Sequence, residues 1–542
     1  MSRSMRPWFR DRFLRSGSHL GDMLPPNSYH NWTREELIER LTALDRRDAR
    51  SQSSGDHQTK ASKQKLFNFS AHPTRKIALK FCYSGWAYNG LAFQISPTPL
   101  PTVEETIFKA LAKLKLVDYD AGPEGCGWER CGRTDRGVSA AGQVISLWVR
   151  SAQSGHAGRP TLEGNDVRTP SPKPSFFVQQ FDDDGAIQEG DIAPSAELAL
   201  AGPSSAVPSP TPEKPELRYV SLLNRVLPPT IRVYAWSPIA PDFSARFACR
   251  WRHYKYFFSL RDLDLDRMRD GAARLVGDHD FRNVCKVDPS KQITNFTRTI
   301  KRADISAVPD EQDDMYVFDL VGSGFLYHQV RHIMAILFLV GTGLEKPSVV
   351  SALLNTDPAL PTTTTDEEGL PLDLVDRKPE YQMADGLPLM LWDCGYDDSD
   401  VQWRTDGAEP GVKDAALLPG SGAELYQQLL STHTHSRIHA TLESHFLSAV
   451  ARHHTPSPPL FPLSHTGLAA STRDNSGVVM QIPLGAGTFH RTAKYVPLLS
   501  RRRQDNVAMI NERWLNKKSN KLADGADAVD HHTAGRPDEG DE

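Results

Sequence analysis

The sequence predicts a fold of mixed strands and helices, and three observations predict it. From Lys76 to Tyr83 the side chains of Ile77, Leu79, Phe81 and Tyr83 alternate with those of Lys76, Ala78, Lys80 and Cys82, a period of two that marks a strand with one core face. Val103, Ile107, Leu111 and Leu114 recur at helical spacing behind Thr102-Val103-Glu104-Glu105, a capping-box start. Farther on, the alternating stretch Met315 to Val321 is followed by an apolar helix over Leu326 to Leu339. Its longest uninterrupted apolar run, Ile333 to Val340, is far short of the ~20 residues that span a bilayer, so no membrane partner is expected.

Taken in order, residues 1–72 read as a mostly disordered polar leader with one helix at 33–44, where Leu37, Ile38, Leu41 and Leu44 fall on one face. Its first fifteen residues carry Arg3, Arg6, Arg10, Arg12 and Arg15 against Asp11 alone, which fits a basic tail or a mitochondrial presequence. An ordered segment fills 73–150 and includes the strand-like Gly142 to Leu147. Residues 151–216 hold ten prolines and ten acids against four bases, the composition of a disordered insertion. Order returns at 217–260 and continues through 261–396, with a Thr- and Pro-rich loop over 355–378. A helical and low-complexity extension occupies 397–489, with a helix expected near Ala423 to Leu430; a basic segment follows at 490–521 and a disordered tail at 522–542.

The total charge of -4 over 542 residues hides two basic fields. Leu217 to Phe258 carries seven bases against Asp242 alone, with Tyr219, Tyr234, Trp236, Phe243, Phe247, Trp251, Tyr254 and Tyr256 interleaved. Arg491 to Lys521 carries nine bases against Asp505 and Glu512. Cations interleaved with aromatics suit phosphate contact and base stacking. The six cysteines are sparse and contain no CxxC pair, which points to a reducing compartment and gives no thiol-based metal signature. His435 and His439 stand four apart, a spacing that could ligate a metal on one helix face, but no carboxylate or thiolate accompanies them, and no metal is expected. Gly322-Ser323-Gly324 lacks the third glycine of a dinucleotide fingerprint.

The densest polar stretch is Cys131-Gly132-Arg133-Thr134-Asp135-Arg136-Gly137-Val138. An acid between two arginines in a glycine-bracketed loop favours the ionised form and can serve as base or nucleophile; in isolation the same string is also a plain surface turn with an ion pair. Its neighbours decide between these. Tyr83 to Gln94, Gly132 to Val138, Phe243 to Phe247 with Arg252 to Tyr256, Phe325 to Arg331, and Ala384 to Leu389 stand in the order of the motifs of the tRNA pseudouridine synthase A family, which this chain resembles. Ser139, the stretch Gly277 to Lys286 and the stretch Lys494 to Arg501 resemble the eukaryotic branch acting on tRNA positions 38 and 39. The departures are Arg136, where that branch usually has Lys, and the insertion at 151–216. The motifs leave 1–72 and most of 397–489 unmatched.

The resemblance implies an α+β pseudouridine synthase fold: two similar subdomains, mostly antiparallel sheets flanked by helices, around a central basic cleft. The N-terminal catalytic subdomain would take 73–150 and 217–260, the C-terminal one 261–396. It further implies Asp135 as the essential residue, Tyr254 stacking on the uracil, and Arg331 pairing with Asp135. Arg133, Arg136, Arg246, Arg250 and Lys255 are the expected tRNA contacts. The reaction implied is isomerisation of uridine to pseudouridine in the anticodon stem-loop. It needs no cofactor, because nothing is oxidised and no group is lost. Two alternatives stay open: an inactive tRNA-binding chaperone on the same scaffold, and a glycosidic hydrolase, disfavoured by the lack of a second catalytic carboxylate. A homodimer and a nuclear or cytoplasmic location are the accompanying expectations.

Overall fold

The structure, a computed structural model, describes residues 67–94, 96–153, 215–309, 314–358, 365–406, 422–456, 460–463 and 479–526. The expected leader helix at 33–44, the disordered character of 154–214 and the last sixteen residues of the tail lie outside them. Strand β1 (Thr74–Tyr83) is the predicted alternating strand, and it turns Ile77, Leu79 and Phe81 into the core. Helix α1 (Val103–Lys113) begins where the sequence places it, with Thr102 accepting from the Glu105 amide at 3.3 Å. Glu105 itself pairs with Lys109 at 2.5 Å. Glu104 is the buried acid of this helix: it accepts from the Phe93 amide at 2.8 Å and from the Trp128 indole at 2.9 Å, and it pairs with Arg130 at 2.5 Å. A buried carboxylate needs such a full set of donors.

Short β2 (Glu129–Arg130) flanks β3 (Ser139–Arg150), which pairs antiparallel with β1. After the short helix α2 (Tyr219–Asn224), β4 (Ile231–Pro238) closes the other side of β1. The second half contains β5 (Trp251–Ser259), α3 (Leu265–Ala273), β6 (Gly277–Asp280), β7 (Thr297–Ala307), β8 (Met315–Gly322), α4 (Gln329–Gly341), α5 (Ser348–Leu354) and β9 (Leu389–Gly395). Its strands run antiparallel in the order β9-β5-β8-β7-β6.

The sheets of the two halves are not separate. Ser139 and Ala140 of β3 pair in parallel with Met390 and Leu391 of β9, so nine strands make one continuous sheet. The loop containing Asp135 feeds directly into that seam. Behind it, α4 buries Leu337 and Phe338 completely or nearly so, and Phe338 meets the rings of Tyr256 and Phe258 edge-on at 6.1 and 6.0 Å. The helix starts at Gln329, three residues later than expected, because His328 takes a left-handed conformation (φ 58°). That conformation is uncommon for a non-glycine residue, although histidine adopts it more readily than most.

Two features lie at the periphery. Glu216 closes the neck of the 151–216 insertion: its carboxylate accepts from Arg75 at 2.6 Å, Ser151 Oγ at 2.8 Å, and the Ala152 and Leu217 amides at 2.9 and 2.8 Å. Helix α6 (Gly422–Ala451) runs 30 residues, far beyond the expected 423–430. Its Thr- and Ser-rich run hides the helix from periodicity. Those hydroxyls are satisfied within the helix, with Thr432, Thr434, Ser436, Thr441 and Ser448 each donating to the carbonyl four residues earlier. The last described elements are a hairpin of β10 (Met480–Gly485) and β11 (Thr488–Thr492) and a helix α7 (Val507–Ala526) in the basic segment. No helix among the described residues is long and apolar enough to cross a membrane.

Candidate active site

The segment from Cys131 to Val138 is held from behind by the first motif. Tyr83 Oη lies 2.5 Å from Thr134 Oγ1, the Leu91 amide donates to the Thr134 carbonyl at 3.2 Å, and the Gln143 amide donates to the Gly132 carbonyl at 3.0 Å. Gly85 donates to Ser139 Oγ at 3.0 Å, and a Cβ there would sit 2.1 Å from the Val138 carbonyl oxygen, so only glycine fits that approach. The loop folds over itself through the Val138 amide and the Asp135 carbonyl, 3.2 Å apart. The first motif is thus a brace for the loop.

In this braced loop the Asp135 carboxylate is about a quarter exposed (26 %) and has two neighbours from α4. His328 Nε2 is 3.2 Å from Asp135 Oδ2, and Arg331 Nη1 is 3.7 Å from the same oxygen. Arg331 is aimed by its Nε, which donates to the Ala384 carbonyl at 2.8 Å. The closing motif therefore orients the arginine: Gly386 packs so close that a Cβ there would lie 3.3 Å from the Arg136 carbonyl oxygen and 3.5 Å from the guanidinium carbon of Arg331. Tyr254 comes from β5, nearly buried, its ring edge-on to Phe325 at 4.9 Å. Burial pushes its phenol well above the ordinary range, so it stays a neutral donor and a flat apolar surface.

The structure brings Asp135, Tyr254 and Arg331 into one neighbourhood, and it adds His328, which the sequence quoted inside a motif without a role. The signal for His328 was its place three residues before Arg331 and one before the helix; its left-handed backbone turns the ring back toward Asp135. Its Nδ1 is buried and has no hydrogen-bond partner, so Nε2 is the nitrogen that serves the carboxylate.

The expected tRNA contacts divide into three groups. Arg133, Arg136 and Arg246 are exposed, and Arg246 lies over the exposed ring of Phe247, 5.2 Å from its centroid. Arg250 is exposed but paired with Asp397, its Nε at 3.1 Å. Lys255 pairs with Asp319 at 3.0 Å and lies 4.9 Å from the Trp392 ring; strand alternation puts it on the opposite face of β5 from Tyr254. Arg252, one of the seven bases of the first basic field, is a strut. Its guanidinium donates to the carbonyls of Cys131, Ser323 and Arg246 at 2.9, 3.1 and 3.2 Å. It ties the root of the Asp135 loop to the end of β8 and to the Arg246 loop.

A second unforeseen grouping stands beside Arg252. The sulfurs of Cys131, Cys249 and Cys394 lie within 4.8 Å of one another, the one set of three metal-capable side chains among the described residues. Sequence separations of more than a hundred residues hid it from spacing analysis. His435 and His439 sit ring to ring at 5.6 Å on α6 and belong to no such set.

Residues 272–397, which include Arg331 and the closing motif, match the family described as tRNA pseudouridine synthase. The chain is 36 % identical over 517 residues to a tRNA pseudouridine(38/39) synthase of Saccharomyces cerevisiae, covering 91 % of this chain and 93 % of the relative. It is 37 % identical over 385 residues to the tRNA pseudouridine(38/39) synthase of Homo sapiens, covering 69 % and 66 %. It is 30 % identical over 335 residues to a tRNA pseudouridine synthase A of Methanothrix thermoacetophila, covering 61 % and 86 %. The yeast match extends well past the motifs, over 91 % of the chain.

Proposed function

The chain belongs to the tRNA pseudouridine synthase family, and from that premise we propose that it isomerises uridine to pseudouridine in the anticodon arm of tRNA, at positions 38 and 39. In this reaction the bond from base nitrogen to ribose breaks, the uracil turns, and its C5 joins the same ribose carbon while the C5 hydrogen leaves as a proton and the freed N1 takes one up. Asp135 is the group that acts on the ribose, as nucleophile or as base. The observation that carries this reading is a carboxylate held by Arg331 and His328 on one side and left partly open on the other, at the seam of the sheet. Contacts of that kind hold a carboxylate in one orientation.

Tyr254 offers its ring to the uracil once the nucleotide has left the stem, a step that costs a few kcal/mol. Arg133, Arg136 and Arg246 meet phosphates from the exposed rim. Arg250 and Lys255 contribute only by exchanging Asp397 and Asp319 for phosphate, so their share of affinity is smaller. Two copies pair to present one tRNA to both; supporting this, α6 leaves Tyr426, Ile438, Phe446 and Leu447 exposed. Light scattering of the full chain, with and without residues 422–451, tests the pairing. Work on tRNA fits a nuclear or cytoplasmic location, tested by imaging the tagged chain.

The deciding experiment compares the wild type with Asp135→Ala on a tRNA transcript carrying uridine at 38 and 39. Both proteins bind, only the wild type forms pseudouridine, and no free uracil appears. Product from both proteins or from neither rejects the assignment, and released uracil marks a hydrolase.

A further inference from the structure

We propose that Cys131, Cys249 and Cys394 form a thiolate site for a soft divalent cation, zinc, which fastens the root of the Asp135 loop. Three segments far apart in sequence deliver the sulfurs: Cys131 at the start of the loop, Cys249 just after the Arg246 turn, and Cys394 near the end of β9. Cys131 and Cys394 are almost fully buried and Cys249 partly so, and none is in a disulfide. Zinc bonded to sulfur at ~2.3 Å holds its sulfurs ~3.8 Å apart, and the three here already lie within 4.8 Å of one another. Little movement is needed to close the site.

Arg252 is the second, independent sign. All three of its hydrogen-bond acceptors among the described residues are backbone carbonyls, and no carboxylate pairs with it. The half-buried guanidinium thus brings a positive charge beside the three sulfurs that no carboxylate among the described residues offsets. Three thiolates around a divalent cation carry one net negative charge, which Arg252 balances. No histidine or carboxylate joins the three sulfurs among the described residues, so an exogenous ligand such as water takes the fourth position. The cation touches no reacting atom. It locks the loop four residues before Asp135 to the central strand and to the exposed Arg246 turn, so that the tRNA-contacting surface and the carboxylate move as one piece.

The test reads metal rather than turnover. The full chain is purified without chelator and analysed by elemental mass spectrometry, then stripped, reloaded with cobalt(II), and followed by the thiolate-to-cobalt charge-transfer absorption. The expected result is about one zinc per chain, a tetrahedral cobalt spectrum, and loss of both in Cys131→Ser, Cys249→Ser and Cys394→Ser, with Cys82→Ser and Cys285→Ser unchanged. Because a serine in the core can unfold the chain, the wild type is also alkylated with and without metal. Protection confined to Cys131, Cys249 and Cys394 in the zinc-loaded form supports the site. A folded wild type that binds neither zinc nor cobalt, a disulfide among the three, or equal alkylation in both states overturns it.

Discussion

Replacing Arg331 by methionine isolates the electrostatic part of the site. The guanidinium lies 3.7 Å from Asp135 Oδ2, a separation at which two unit charges interact by about 4.5 kcal/mol at an effective dielectric of ~20. Asp135 is 26 % exposed, so solvent screens part of this, and about 2 kcal/mol is the realistic share. At ~1.4 kcal/mol per decade, Arg331→Met slows the chemical step by roughly 30-fold. Arg331→Lys keeps the charge but loses the bond to the Ala384 carbonyl that aims it, so it recovers only part of the rate. The assay is single-turnover release of tritium from tRNA labelled at uridine C5, since joining C5 to the ribose expels that hydrogen. Filter binding on the same tRNA gives Kd, which should change by no more than about threefold because Arg133, Arg136 and Arg246, the proposed phosphate contacts, are untouched. A methionine variant that reacts at wild-type speed when saturated, with the whole defect in Kd, refutes the reasoning.

Three further outcomes follow from the geometry. His328→Ala removes the imidazole that lies 3.2 Å from Asp135 Oδ2, a contact worth about 1 kcal/mol, and single-turnover rates should fall by roughly fivefold; an unchanged rate makes the histidine a bystander. Gly386→Ala inserts a methyl against the Arg136 carbonyl and the Arg331 guanidinium, so it should lower Tm by a few degrees and cut the rate; a variant with normal Tm and rate shows that the approach is looser than drawn. Glu216 is pulled up by burial, but the Ala152 and Leu217 amides, Arg75 and Ser151 outweigh that and hold its carboxyl below 4.5. Its ionised form therefore adds stability above that value, which is lost as pH falls through the lower folded value. Glu216→Gln should cost about 2 kcal/mol at neutral pH in urea melts, with the two curves converging in acid; a gap that persists at low pH argues against it.

The strands and helices of the core were legible because their burial is periodic: β1, α1 and β8 appear within two residues of where alternation and capping place them. Asp135, Tyr254 and Arg331 were legible through motif order, although their proximity is a property of the folded chain. What escaped is what depends on distant pairing or on backbone conformation. The fusion of two sheets through Ser139 and Met390 rests on a two-residue ladder with no local signature. His328 acquires its orientation from a positive φ, Arg252 its role from three carbonyls, and the three cysteines their grouping from the closing of β9 on β5. Lys255 shows the opposite limit. A basic count assigns it to the RNA face, whereas alternation along β5 turns it away from Tyr254 and toward Asp319.

The clasp at Glu216 has an implication for engineering. Because Ser151, Ala152 and Arg75 meet on one carboxylate, the polypeptide leaves the sheet and rejoins it at a single doorway. The register of β1 and β3, from Thr74 with Arg150 to Tyr83 with Ala140, is set on the near side of that doorway. A fluorescent reporter or affinity handle grafted there should ride on the enzyme as a passenger, leaving the machinery around Asp135 undisturbed.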